Sequence, residues 1–153
     1  MSNKLLILLN KLKSQGIPLN VIYDIGARHA EWSKSLFESF PKSDFFLFEA
    51  NPHSTSMLDK SGFHYIIEVL SSSPMLVDFY DSNSSGDSIY KEISAHCDDV
   101  IPTKRLSTTL DIMVEDHNLP LPDLIKLDTQ GSELDILEGF TKNLNYVSLL
   151  YLE

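Results

Sequence analysis

DLIKLDTQGSELDILEG, residues 123–139, is the stretch that decides the fold. Leu124 to Leu127 is an apolar run of strand length that delivers a carboxylate, Asp128, to a turn at Gly131. The chain then restarts with helical spacing and carries Glu133 in the first turn. A strand that ends in an acid at a sharp turn before a helix is how open α/β sheets build ligand crevices, because the strand carboxyl ends meet along one rim.

The same unit recurs on the N-terminal side. Leu5, Leu8, Leu9 and Leu12 fall on one helical face, so residues 1–16 are expected to form an amphipathic helix packed on the domain, ended by Gly16 and Pro18. Residues 21–25 read as a short buried strand, 31–40 as a helix closed by Pro41, and 45–48 as a second strand. Asn51-Pro52 offers an N-cap with proline at the first helical position, starting a helix to about Lys60. A third strand is expected over 64–70. The rhythm then changes: Ser71 to Pro74 is a turn, 75–80 alternates like an exposed strand, and 81–87 is a polar loop. Residues 88–102 read as loop with one helical turn around Lys91 to His96, 110–118 as a short helix and 147–152 as a last buried strand. Alternating strands and helices predict an α/β fold with a parallel sheet and right-handed crossovers.

At 153 residues and 42% hydrophobic content the chain is one domain's worth, 1–153, with a single sizeable core. Twelve Lys and Arg stand against 22 Asp and Glu, for a formal charge of -10. No basic cluster exceeds the pair Lys104-Arg105, so no nucleic-acid partner is expected, and the acidic surface favours neutral or cationic ligands. Cys97 is the single cysteine. It excludes an internal disulfide framework and fits a reducing compartment. The apolar run from Leu5 to Leu9 is too short for a signal sequence or a membrane span, so the expected location is cytoplasmic, with no membrane partner.

The first strand ends Asp24-Ile25-Gly26-Ala27-Arg28-His29-Ala30, where nucleotide-binding sheets place their glycine loop. A dinucleotide fingerprint from Gly26 needs glycines at 28 and 31, and Arg28 and Glu31 stand there. No Gly-Lys-Ser or Gly-Lys-Thr occurs, so a P-loop is absent. What remains is an acid at the strand end and one glycine that lets a ligand approach the backbone. That suits a nucleoside without phosphates, of which S-adenosylmethionine is one. Glu49, 25 positions after Asp24, ends the second strand, where a carboxylate accepts hydrogen bonds from a ribose diol. Each acid also has a plainer role open to it. Asp24 can brace the loop, Glu49 and Glu133 can favour helix N-termini, and Asp128 can form the turn, with Gly139 a C-cap. Two acids at the central crevice nevertheless need something to pair with, and a polar or cationic ligand is the expectation. Five histidines are scattered without ligand spacing, and no metal site is expected.

DIGARHAEWS at 24–33, FEANP at 48–52, SGDSIYKE at 85–92 and IKLDTQGSELDILEG at 125–139 together resemble the FkbM-type methyltransferase family. The last motif is specific to that family, whereas the first is a general methyltransferase signature. The resemblance runs from about Ile17 onward. It implies a Rossmann-like class I methyltransferase sheet in three α/β/α layers, using S-adenosylmethionine to methylate an oxygen on a sugar or small-molecule hydroxyl. Asp24 and Gly26 match the family's cofactor loop, Glu49 its ribose-binding acid, and Asp128 and Glu133 the acids of its late motif. Ala27, Asn51 and Asp128 complete the expected cofactor contacts. Asp128 and His29 are the candidate proton acceptors. Ser88 and Glu133 are candidate acceptor contacts, as are Ser84 and Ser85 in the 81–92 loop. Arg28 and Ala30 stand where the family usually has asparagine and a further glycine. Methyltransferases of this class normally carry two more strands, so a sheet truncated after the fifth is expected. It leaves an apolar edge at 147–152 for a second copy, in a homodimer, to cover. The alternatives are a non-catalytic S-adenosylmethionine-binding or scaffold domain and, less favoured because the glycines are missing, an NAD-dependent oxidoreductase.

Overall fold

The structure, a computed structural model, describes residues 3–81, 86–91 and 100–153. A helix α1 (Asn3–Ser14) precedes β1 (Val21–Ile25), α2 (Glu31–Phe37), β2 (Asp44–Glu49), a 3-10 turn (Pro52–Ser54), α3 (Thr55–Leu58) and β3 (His64–Ile67). The chain continues through β4 (Val69–Leu70), β5 (Leu76–Phe79), β6 (Thr103–Thr108) and α4 (Leu110–Asp116). It finishes with β7 (Leu124–Leu127), α5 (Glu133–Glu138), a second 3-10 turn (Leu144–Tyr146) and β8 (Leu149–Leu152). Five parallel strands form one sheet in the order β3-β2-β1-β7-β8. The Rossmann-like α/β architecture expected from the sequence is therefore present. From β1 the chain winds outward to β2 and β3, and from β7 it winds the other way to β8. The carboxyl ends of β1 and β7 consequently flank the switch point at which such sheets bind ligands.

Side chains alternate across the central strands and define two cores. Ile22, Leu47 and Leu124 point to the face covered by α1, α2 and α3, where Leu9, Leu36 and Leu58 meet them. Tyr23, Phe48 and Ile125 point to the opposite face, against Leu110 of α4 and Ile136 of α5. Both faces are covered, which is why these strands read as continuous apolar runs.

Several expectations are corrected. On α1 Leu9 is buried and Leu5 and Leu6 pack against the core partly buried, whereas Leu8, on the expected face, is half exposed. The strand expected over 64–70 breaks at Glu68. The Glu68 amide donates to Glu49 O at 2.9 Å, the last link to β2, after which Val69 and Leu70 pair in parallel with β6 in a separate three-stranded sheet. β6 is an additional strand, where the sequence pattern gives no strand. It runs antiparallel to β5 and pairs Leu76 with Leu106 and Asp78 with Lys104. The expected helix from Asn51 is a 3-10 turn and then a single turn of α3, although Asn51 caps it as its sequence suggests, its side chain accepting from His53 N. The expected helical turn after Lys91, and Cys97, fall on residues 92–99, outside the described residues. Among the described residues no helix is long and apolar enough to cross a membrane.

Candidate active site

A cleft of about 420 Å³ opens at the carboxyl ends of β1, β2 and β7, and Glu153 just after β8 reaches it. Its size lies within the roughly 300–1,000 Å³ of pockets that hold drug-sized ligands. The loop after β1 forms one wall. The Gly26 and Ala27 amides both donate to Phe48 O, at 2.9 and 3.1 Å, and the Arg28 amide donates to Glu49 Oε2 at 2.6 Å, so β1 and β2 are laced together at the rim. Gly26 has φ of 75°, and a Cβ there would stand 1.9 Å from the carbonyl oxygen of Asp128. The glycine thus admits the backbone of β7, where the sequence suggested that it admits a ligand. Arg28 and Ala30 adopt φ of 49° and 63°. These are left-handed conformations that favour glycine and asparagine and cost other residues about 1–2 kcal/mol each.

Asp24 is not in the cleft wall. It is fully buried under α2, accepting from Ser33 Oγ at 2.6 Å and from Lys126 Nζ at 2.9 Å. The partner expected from a ligand is supplied by the chain. The sequence carries the signal for this pairing in Lys126, since a lysine in the buried run Leu124-Ile125-Lys126-Leu127 calls for a carboxylate partner. Its ammonium also donates to Gly26 O at 3.1 Å and lies 3.6 Å from Asp128 Oδ2. Asp128 does face the cleft, with its side chain 28% exposed. Its Oδ1 accepts from Gln130 Nε2 at 2.7 Å.

Glu49 lines the cleft and is buried, with Oε1 accepting from the Asn51 amide at 2.8 Å. Burial pushes its carboxyl above the ordinary value and the nearby Asp87 adds to this, while the backbone donors Asn51, Arg28 and Ala50 pull against them. Asn51 lies behind this wall, its Nδ2 donating to Asp81 at 3.1 Å and Asp87 at 2.7 Å, so it supports the rim without lining it. His29 also lies off the wall, with Nδ1 3.4 Å from Glu31 Oε1. Of the two candidate proton acceptors, only Asp128 is in the cleft.

Glu133 is turned away from the cleft and braces the bend after β7. Its Oε1 accepts from the Thr129 amide at 2.9 Å and its Oε2 from the Gly131 amide at 3.1 Å. Burial acts to raise its carboxyl, but these backbone donors and the Thr129 hydroxyl outweigh it and hold the group below the ordinary value. The bend needs that brace, since Gln130 and Gly131 both have positive φ, 55° and 110°. Ser88 is in the wall but its hydroxyl is already engaged, donating to Gln130 O at 2.9 Å and accepting from the Tyr90 amide at 3.0 Å. Ser84 and Ser85 lie outside the described residues.

Trp32 of α2, the chain's single tryptophan, also lines the cleft. Its ring stacks on Tyr151 at 6.3 Å, with Lys126 Nζ 5.9 Å from its centre, and its buried Nε1 has no hydrogen-bond partner among the described residues. Six carboxylates line the cleft against two cations, Arg28 and Lys126. The arrangement therefore accommodates a neutral or cationic ligand and opposes a phosphate. Among the described residues no group of three or more His, Cys, Asp or Glu is disposed to hold a metal ion. The carboxylates are hydrogen-bond acceptors and carry negative charge, which suits a ligand that brings hydroxyl donors or positive charge. Glu49 offers a carboxylate for a diol, and the wall around Asp128 and Glu153 offers negative charge.

The model of the family described as Methyltransferase FkbM domain matches residues 24–148, from the buried acid of β1 to the residue before β8. No curated protein and no solved structure matches the chain.

Proposed function

We propose, because this chain belongs to the FkbM methyltransferase family, that its cleft binds S-adenosylmethionine and that the chain methylates a hydroxyl of a sugar or small molecule. The observation that carries the reading is Glu49, a buried carboxylate at the end of β2 in the wall of an acidic cleft at the sheet's switch point. When bound, S-adenosylmethionine would supply an electrophilic methyl group to a hydroxyl oxygen, with a neutral thioether as leaving group. The chain's own part is alignment, and most of the rate in such a transfer comes from holding the two reactants in position. Glu49 accepts from the ribose diol. Asp128 presents a carboxylate on the far side of the β1 loop, where it takes the proton that the acceptor hydroxyl loses. Arg28, exposed at the rim, is the cation with which an acceptor entering from solvent first meets the cleft.

Calorimetric titration with S-adenosylhomocysteine tests the reading. Micromolar binding that Glu49→Gln weakens on the order of tenfold is expected, the loss of one charge-assisted hydrogen bond. NAD binding more tightly than S-adenosylmethionine overturns it. Methyl transfer from a radiolabelled donor to a panel of sugars then identifies the acceptor.

A further inference from the structure

We propose that Lys126 is a positioning residue with two separable jobs: it compensates the buried Asp24, and it fixes where the Asp128 carboxylate stands in the cleft. The inference rests on the reading of that cleft as the S-adenosylmethionine site.

The register of the sheet brings these groups together. β1 and β7 are parallel with Asp24 beside Lys126, so the two side chains share the face covered by α2. A slip of one residue would put them on opposite faces. Lys126 and Asp128 are two apart, which directs both toward that same face as β7 ends. An ammonium has three N–H donors and no acceptor. Two are committed, to Asp24 Oδ1 at 2.9 Å and to Gly26 O at 3.1 Å. Among the described residues Asp128 Oδ2, at 3.6 Å, is the remaining anion within reach.

The consequence is a division of charge. Asp24 and Asp128 share one cation, so the trio keeps one unit of negative charge. Asp24 is wholly buried, and Lys126 is 4% exposed in its side chain. The uncancelled charge is therefore expressed at Asp128, the member that faces the cleft. The bond to Gly26 O ties the same ammonium to the β1 loop. Lys126 thus sets the position of Asp128 relative to the loop against which a ligand lies. A residue that merely neutralised Asp24 would need no reach beyond it.

The two jobs separate in a pair of variants. Lys126→Met alone leaves a buried carboxylate without its cation and is expected to unfold far more readily. Asp24→Asn combined with Lys126→Met removes both charges and is expected to recover most of the lost melting temperature. Its affinity for S-adenosylhomocysteine is expected to stay weaker than that of Asp24→Asn alone, on the order of tenfold. Calorimetry measures the affinity, and Trp32 fluorescence, from a single tryptophan in the cleft wall, gives an independent readout. The Asp128 carboxyl carbon resonance of the ligand-free protein reports the same contact with no ligand present, and is expected to move between Asp24→Asn and the double variant. Equal affinities in those two proteins overturn the inference. If the wild-type chain binds no S-adenosylhomocysteine, the proposed function fails, and the carbon resonance alone decides: movement sustains the role of Lys126 and an unmoved resonance overturns it.

Discussion

Two glycines with nearly the same backbone conformation separate conformational cost from steric cost. Gly26 has φ of 75° and Gly62 has φ of 79°, but a Cβ at Gly62 meets nothing within 4 Å, whereas one at Gly26 would stand 1.9 Å from Asp128 O. Gly62→Ala is expected to cost about 1–2 kcal/mol for the left-handed backbone alone. Gly26→Ala adds a clash with backbone that cannot turn aside, so a loss above about 4 kcal/mol in urea unfolding is expected. Equal losses would show that the β1 loop can move away from β7. The Glu49 carboxyl is raised by burial, so the folded chain holds its proton more firmly than the unfolded one. Its contribution to stability is therefore full below the unfolded value near 4.5 and is lost as pH rises through the raised folded value. Ligand binding has the opposite sign, because a ribose diol needs the ionised form. The affinity for S-adenosylhomocysteine is expected to weaken as pH falls from 7 through the Glu49 range. Glu49→Gln should abolish that dependence, and a wild-type profile as flat as the variant's would remove Glu49 from the ligand.

Thr109 shows how local chemistry sets an element independently of the cleft. Its side chain accepts from the Ile112 amide at 3.1 Å and so caps α4. Thr109→Ala is expected to cost about 1 kcal/mol in chemical denaturation while leaving S-adenosylhomocysteine affinity unchanged. A change in affinity would mean that α4 bears on the cleft. Elements that announce themselves in this way were legible from the sequence. β7 is a run of strand length closed by an acid, and Asn51-Pro52 marks a helical start wherever the helix then ends. β6 was not legible, because Thr103-Lys104-Arg105-Leu106-Ser107-Thr108 shows no apolar alternation, and its pairing with β5 and β4 is what makes it a strand. The break at Glu68 was hidden for the converse reason. His64 to Leu70 is evenly strand-like, and only the tertiary partners change, from β2 to β6. The candidate site divides along the same line. Gly26, Glu49 and Asp128 are strand-end residues and were readable as such. The pairing of Asp24 with Lys126 joins positions 102 apart in sequence and depends on a register that no local pattern encodes.

For the molecule as a whole, the sheet order leaves β8 at one edge, paired among the described residues only with β7. Leu149 and Tyr151 pack into the core on the α2 side, whereas Leu150 and Leu152, on the face shared with α4 and α5, are 45% and 50% exposed. An unpaired apolar strand is a template for another strand. We propose a second copy of the chain as one occupant of this edge, because β8 set antiparallel to itself satisfies a two-fold axis and extends the sheet through both copies. The formal charge of -10 works against this association at long range. Screening shortens that repulsion to about 8 Å at physiological ionic strength and about 3 Å at 1 M, while burial of the leucines is not weakened by salt. Self-association is therefore expected to rise with concentration and to strengthen with added sodium chloride. Leu150→Lys combined with Leu152→Lys should hold the chain monomeric by placing like charges across the axis. Sedimentation velocity checks this, and a wild-type sedimentation coefficient independent of concentration at both low and high salt would rule out β8 as a self-pairing edge.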